Sequence, residues 1–164
     1  MVSPDELGEI RFFQGLSETH LKHIAQIAEL QTVASGAPVF REGDASSHVY
    51  IVSEGRVSLE IRVPGRGAVQ IQTVGSGELL GWSPMLESGP MTATARSVAP
   101  SRLIALHVPQ LLALCQRDPS LATELMRRTA LALAQRLKAT RLQLLDVYRQ
   151  EMPAIPNPRL KEQP

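Results

Sequence analysis

Four histidines and a single cysteine are the side chains of this chain best suited to acid–base, nucleophilic or metal chemistry. His20 and His23 lie three residues apart on a predicted helix, but no cysteine or carboxylate completes a convincing ligand set with them. His48 stands alone in the sequence, and His107 lies far from it. No Ser-His-Asp, Cys-His or paired-carboxylate arrangement is recognisable either. We therefore predict neither a catalytic site nor a metal site.

The single cysteine, Cys115, lies in the apolar segment "LLALC". We interpret it as a buried small hydrophobe and not as a nucleophile. One cysteine excludes an internal disulfide, which is typical of a reducing compartment. No charged segment followed by an apolar one opens the chain, and no apolar run approaches the roughly 20 residues of a membrane span. These features predict a cytoplasmic protein with no membrane contact.

Composition predicts one ordinary core. The chain has 164 residues, of which 43% are hydrophobic, enough for a single domain. Its 17 Lys and Arg residues nearly balance its 16 Asp and Glu residues. No strong basic field therefore draws the whole chain to nucleic acid or to an anionic membrane.

The periodicity of the sequence changes twice and predicts three regions. "SPDE" indicates a helix capped by Ser3, and "LSETHLKHIAQIAEL" a second, amphipathic helix whose apolar face includes Ala28. From Val33 the period becomes two, as in "RVSLEIRV", with turn signals between short runs, which predicts a small antiparallel barrel or jelly roll. We expect N-terminal helices over 1–32, a β jelly roll over 33–107, closing helices over 109–150, and a disordered proline-rich tail over 151–164.

The last predicted helix is long, with Asp118 as its N-cap and Pro119 in its first turn. Apolar and small residues recur along it at spacings of four and three, as in the seam of a two-stranded coiled coil. The seam residues are Met126, Ala130, Leu133, Leu137, Thr140, Leu144 and Val147. The helix can bury this stripe against its own barrel or against a second copy. We expect both, and hence a homodimer through the helix 119–150.

The segment "PVFREGDASSHVYIVSEGRVSLEI" combines an apolar pair, a tight turn at Glu42-Gly43-Asp44 and a strand that begins after Gly55. With "FFQGLSETHLKHIA" before it and "QRLKATRLQLL" after it, the sequence over residues 10–148 resembles the cyclic nucleotide-binding domain of the catabolite activator protein and of the regulatory subunits of cyclic AMP-dependent kinase. The resemblance implies a mainly β fold with flanking α-helices: a jelly-roll barrel with N-terminal helices and a long C-terminal helix.

The stretch "GELLGWSPMLESGPMTATARSV", residues 77–98, is similar to the phosphate-binding cassette of that family without a gap. Members that bind cyclic nucleotides carry a Glu that accepts the ribose 2′ hydroxyl and an Arg that pairs with the cyclic phosphate. The resemblance implies that Trp82 replaces the Glu, Met91 replaces the Arg, and Pro84 replaces an Ala whose amide faces the phosphate. The pocket positions so implied are Leu80, Gly81, Trp82, Ser83, Pro84, Met91 and Thr92.

These replacements predict a large loss of affinity. Each charge-assisted hydrogen bond contributes about 1.5 to 3 kcal/mol, so that two lost bonds cost roughly 3 to 6 kcal/mol. A micromolar binder at about −8 kcal/mol would become millimolar or weaker. We predict that ordinary cyclic AMP or cyclic GMP binding is lost or strongly weakened. Trp82 and Met91 either fill the pocket or line an apolar cavity.

Three further residues carry alternatives. Arg96 could reach the pocket if the strand register differs, but with period two and no bulge it faces away from Met91. The resemblance places Thr140 where relatives offer a hydroxyl to the base, although it also suits a seam position that sets register. Arg141 either pairs across an interface, for example with Asp146 of a second copy, or meets a ligand from the helix side.

The functional prediction is a non-enzymatic regulatory module that acts as a dimer and through a protein partner, without a cofactor. The alternative is a sensor of a non-classical cyclic nucleotide or another small molecule in the same pocket. No helix-turn-helix follows the closing helix, so that we expect no direct DNA binding. A metal-dependent cupin oxygenase, also a jelly roll, is disfavoured because it would need a His-x-His pair with a further Glu and His.

Overall fold

A computed structural model describes residues 1–87 and 89–149 of the chain. Its helices are α1 (Pro4–Glu9), α2 (Glu18–Ala25), α3 (Ser83–Leu86), α4 (Val108–Arg117) and α5 (Pro119–Tyr148). Its strands are β1 (Ala28–Val33), β2 (Pro38–Phe40), β3 (His48–Glu54), β4 (Arg56–Val63), β5 (Gly67–Gly75), β6 (Leu79–Leu80), β7 (Thr94–Ser97) and β8 (Ser101–His107).

Local sequence signals set the starts of the helices. The Ser3 hydroxyl accepts a hydrogen bond from the backbone N–H of Glu6 at 3.1 Å, and the Glu6 carboxylate accepts one from the backbone N–H of Ser3 at 2.7 Å. This reciprocal pair is the predicted capping box of α1. Asp118 likewise caps α5, since its Oδ1 accepts the N–H of Leu121 at 3.0 Å. Both predicted caps are confirmed.

The strands form two antiparallel four-stranded sheets. One sheet has the order β1-β8-β3-β6, and the other has the order β2-β7-β4-β5. Each sheet joins strands that are distant in sequence, as in a jelly roll. The predicted mainly β fold with N-terminal helices and a long C-terminal helix is confirmed.

The cluster that concerns the candidate site contains buried side chains from both sheets. Its members are Phe40, Tyr50, Val52, Val57, Val74, Leu80, Met91, Ala95, Leu103 and Ala105. Phe40 and Tyr50 stack with their ring centroids 6.0 Å apart. Alternation along each strand places these side chains on the inner faces. One departure from the predicted pattern is Ser58 on β4, which is buried and donates to the carbonyl of Arg96 at 3.3 Å.

The predicted boundary between helices and barrel is wrong by several residues. The second helix ends at Ala25, and β1 begins at Ala28, within the region 1–32 that was predicted as helical. Ala28 fits a helical face by spacing, but it pairs with Leu106 at the start of a ladder that ends at Val33 and Ser101. Pairing with β8 satisfies the backbone of residues 28–33, and this partner is not visible in the local sequence.

The chain divides into two compact units, residues 1–130 and 131–164. The first unit holds both sheets and the start of α5, and the second begins at Leu131 within α5. The predicted tail over 151–164 lies outside the described residues. Cys115 is only half-buried, not fully buried as predicted, and burial raises the pKa of its thiol. Among the described residues, no helix is long and apolar enough to cross a membrane.

Candidate functional site

The cassette begins where β6 pairs with β3. Leu80 lies opposite Tyr50 and is fully buried. Gly81 follows in the left-handed region with φ at +68°, and a Cβ there would lie 2.9 Å from Cε1 of Phe40. Glycine is therefore required for the chain to turn over this ring. The turn brings Trp82 and α3 to the end of the β1-β8-β3-β6 sheet.

Met91, in the predicted position of the phosphate-binding arginine, is part of the hydrophobic core. Its residue is only 3% exposed, and it packs in the cluster that contains Phe40, Tyr50 and Leu80. Its backbone is also fixed, because the Met91 N–H donates to the carbonyl of Asp44 and the Gly43 N–H donates to the Met91 carbonyl, both at 2.8 Å. The predicted tight turn at Glu42-Gly43-Asp44 thus holds Met91 in the core.

The first turn of α3 offers few hydrogen-bond donors. Trp82 precedes the helix without capping it, and its side chain is half-buried. Pro84 has no N–H, and the N–H of Met85 donates to the carbonyl of Trp82 at 3.0 Å. Ser83 is buried and keeps the one first-turn N–H that is not committed within the described residues.

The cassette carries negative charge and no positive charge. The sequence from Gly77 to Thr92 contains two glutamates, Glu78 and Glu87, and no lysine or arginine. Glu78 accepts a hydrogen bond from the N–H of Gly75 at 2.6 Å and contacts Nη2 of Arg11 at 3.4 Å. Thr92, the remaining polar position, is exposed. The local electrostatics therefore oppose a cyclic phosphate.

Arg96 points away from the cluster of Met91. On β7 the buried residues are Ala95 and Ser97, and Arg96 lies between them on the opposite face. Its guanidinium donates to the carbonyl of Gly36 at 2.9 Å and contacts the carboxylate of Glu60 at 3.4 Å. The geometry matches the expectation from period two and leaves Arg96 outside the cluster.

The last two predicted positions, Thr140 and Arg141, lie on the part of α5 that belongs to the second unit. Both are exposed. The structure thus brings together Leu80, Gly81 and Met91 around Phe40 and Tyr50, places Trp82, Ser83 and Pro84 at α3, and presents Thr140 and Arg141 on the helix surface. Burial raises the pKa of the Tyr50 phenol in this core, an effect that a hydrogen bond with Ser46 opposes.

Sequence analysis missed a polar junction between α2 and the start of α5. Oδ2 of Asp118 lies 3.4 Å from Nε2 of His20 and 3.5 Å from Nδ1 of His23. Nε2 of His20 also lies 2.9 Å from the Ser120 hydroxyl. The backbone N–H of Leu121 and the Ser120 hydroxyl, with both histidines nearby, hold the pKa of the Asp118 carboxyl below its usual value. We call His20, His23, Asp118 and Ser120 the α2–α5 junction.

Two further features lie away from the cassette. His48 and His107 face each other across β3 and β8 with ring centroids 5.1 Å apart. A half-open cavity of about 440 Å³ lies beside α1, lined by Ile10, Arg11, Leu30, Arg102 and Ile104 among others. None of the predicted site residues lines this cavity. In the described part of the chain, no group of three or more His, Cys, Asp or Glu residues could hold a metal ion.

Comparison with known proteins identifies the same fold and family. The family profile described as "Cyclic nucleotide-binding domain" matches residues 30–118. The cyclic AMP receptor protein of Thermus thermophilus is 31% identical over 80% of this chain, and the chain spans 59% of the length of that relative, less than two thirds of it.

Two solved structures resemble the chain. A cyclic nucleotide-binding domain from Methylobacillus flagellatus superposes with a TM-score of 0.77 over 93% of this chain and 85% of its own, at 19% identity, which supports the fold alone. The catabolite activator protein of Thermus thermophilus superposes with a TM-score of 0.67 over 82% of this chain and 61% of its own, at 29% identity.

Proposed function

The chain belongs to the cyclic nucleotide-binding domain family, and from that premise we propose that it is a non-enzymatic regulatory module whose affinity for cyclic AMP and cyclic GMP is lost or strongly weakened. The module acts as a homodimer and through contacts with other proteins. The proposal includes one functional domain over residues 1–150 and a cytoplasmic location, which suits a chain with a single half-buried cysteine.

The burial of Met91 is the observation that carries the proposal. An arginine at this position would place a guanidinium next to the phosphate, whereas the thioether packs against Phe40, Tyr50 and Leu80. A phosphate that entered here would displace apolar contacts and would find no cation to pair with. Glu78 and Glu87 add repulsion, and Pro84 removes a donor from α3. Each of these effects acts against an anionic ligand.

Calorimetric titration with cyclic AMP and cyclic GMP tests the loss of binding. The wild type should show no heat of binding at micromolar concentrations. A variant that combines Trp82→Glu, Pro84→Ala and Met91→Arg restores the groups of the binding members and should gain affinity, whereas Met91→Leu alone should stay silent. Circular dichroism establishes that each variant is folded.

The wild type decides the matter even if the triple variant fails to fold. Stoichiometric micromolar binding by the wild type would overturn the proposal. If such binding occurred and Arg96→Ala abolished it, the phosphate would be bound by the face of β7 that carries Arg96.

Exposed apolar side chains on α5 support the homodimer. Met126, Leu137, Leu144 and Val147, all members of the predicted seam, are exposed, Leu144 to 52%. Such a row is costly in water and suits a coiled-coil contact with a second copy. The same helix surface is available to a protein partner.

Sedimentation equilibrium tests the dimer and its seam. The wild type should sediment as a dimer, and Leu137→Asp with Leu144→Asp should give a monomer. Gln135→Asp is the matched control, because position 135 lies outside the seam on the same helix. A monomeric wild type, or a seam variant that remains dimeric, would contradict this part of the proposal.

The second candidate function is a sensor of a non-classical or uncharged small molecule. It is favoured by Trp82, whose indole is half-buried, and by the exposed Thr92. Trp82 is the sole tryptophan of the chain, so its fluorescence reports on the cassette directly. A saturable change with an uncharged nucleoside, absent for cyclic AMP, would favour this candidate over the first. A flat response across nucleosides and cyclic dinucleotides would count against it.

A further inference from the structure

His48 and His107 form a pair that neither the fold nor the proposed function requires. His48 is the first residue of β3 and His107 is the last of β8, and the two lie directly opposite in the antiparallel register. Both are half-buried at the surface end of the sheet. Their 59 intervening positions separate them in sequence, although backbone pairing between His48 and His107 fixes them as neighbours.

The separation of the two rings suits a shared metal ion. A tetrahedral ion holds two imidazole nitrogens at about 2.0 to 2.1 Å, which places the ring centroids roughly 5 Å apart. The observed separation is 5.1 Å, with the ring planes tilted by 51°. Two imidazoles can therefore approach one ion with only side-chain rotation, because both backbones are already held by the sheet.

The hydrogen bonds of the pair leave ring nitrogens available. Nδ1 of His48 lies 3.3 Å from the Ser47 hydroxyl, which leaves Nε2 for a metal. Such a partner on the other nitrogen orients an imidazole ligand. The ring of His107 has no hydrogen-bond partner in the described part of the chain, and its side chain does not cap α4.

We propose that His48 and His107 bind a divalent transition-metal ion of the class that prefers imidazole, such as Zn²⁺, Ni²⁺ or Cu²⁺. No third His, Cys, Asp or Glu of residues 1–87 and 89–149 joins the pair in a ready-made metal cluster. Water fills the remaining coordination positions, and the two-ligand site is consequently weaker than a closed structural zinc site.

The position of the pair gives the ion a role in the fold. His107 is followed directly by α4, and the Val108 N–H donates to the carbonyl of Ser47 at 2.7 Å. α4 contacts α3, the helix of the cassette. An ion across His48 and His107 would clamp the start of α4 to β3 and so stiffen the support of α3.

Metal titration of the tag-free protein tests the site. Zn²⁺ and Ni²⁺ should bind with one ion per chain and raise the thermal midpoint, and Mg²⁺, which prefers oxygen ligands, should do neither. His48→Gln and His107→Gln should each weaken the affinity by about tenfold or more, because even the partners that only orient metal ligands contribute about 10- to 100-fold.

The control is the other histidine pair. A His20→Gln, His23→Gln double variant should bind Zn²⁺ like the wild type. The proposal would be overturned if the wild type bound neither ion, if only one of the His48 and His107 variants lost affinity, or if the His20 and His23 variant lost it instead. Circular dichroism of each variant without metal verifies that a lost signal reflects a lost ligand and not an unfolded chain.

Discussion

The cassette and the α2–α5 junction are held together by opposite kinds of interaction. The cassette places Leu80, Gly81 and Met91 against aromatic rings, without a cation over residues 77–92. The junction places His20 and His23 around the carboxylate of Asp118, which also caps α5. The family pattern leads one to expect charge at the cassette. In this chain the polar contacts lie at the junction and the cassette has become part of the core.

This contrast separates two meanings of a replaced residue. A binding residue exchanged for an exposed one would leave an open, weakened site. Met91 instead belongs to the packed interior and has its backbone fixed by Gly43 and Asp44. Restoring affinity therefore requires undoing core packing as well as adding charge, and the predictions below measure how firmly each region is built.

Met91→Arg should have the largest effect and would break the contrast if it did not. An unpaired guanidinium among Phe40, Tyr50 and Leu80 should reduce the free energy of unfolding by about 3 to 5 kcal/mol. Urea unfolding measures it. Met91→Leu, which keeps volume and polarity, should cost less than about 1.5 kcal/mol. Equal stability of Met91→Arg and wild type would show that the cassette is an open site.

Gly81→Ala should have the next largest effect, because it tests the close approach of the cassette to the ring of Phe40. A Cβ at 2.9 Å and a φ of +68° both oppose a side chain, and we expect a loss of about 1 to 3 kcal/mol in the free energy of unfolding. Gly36→Ala is a useful reference, since Gly36 also has a positive φ but nothing within 4 Å of its Cβ. A loss equal to that of Gly36→Ala would mean that contact with Phe40 contributes nothing.

Asp118→Ala should have a smaller effect, which sharpens the contrast from the polar side. It removes the acceptor for the Leu121 N–H and the partner of two histidines. We expect the thermal midpoint to fall by a few degrees, with Asp118→Asn falling less because an amide oxygen can still cap the helix. If Asp118→Asn lowered the midpoint as much as Asp118→Ala, charge and not capping would dominate the junction.

The smallest effect should be a pH dependence confined to the junction. The pKa of Asp118 is lowered in the folded chain, so its contribution to stability is present above the pKa of the unfolded state and is lost as pH falls through the folded value. The stability difference between wild type and Asp118→Asn should therefore shrink below about pH 4. Unfolding curves at several pH values measure it. The difference between wild type and Met91→Leu should stay constant over the same range, and a constant gap for Asp118→Asn would refute the assignment.

Local signals in the sequence were sufficient for much of the fold. Ser3 with Glu6, and Asp118 with Pro119, predicted helix starts that the structure confirms, because a cap depends on residues within one turn. The alternating strands and their turns predicted a jelly roll. Ala28 was misassigned because spacing alone suits a helix, whereas its pairing with Leu106 depends on a strand 78 positions away.

The sequence by itself determined which chemical groups the cassette has: an indole, a proline and a thioether where charge and an amide donor are expected, and no lysine or arginine over residues 77–92. It left open whether Met91 fills the site or lines a cavity. Only the tertiary structure decided that Met91 is in the core, that Asp118 meets His20 and His23, and that His48 faces His107. The physical reason is that side-chain chemistry is a property of each residue, whereas burial and partnership arise when strands and helices far apart in the chain pack against one another.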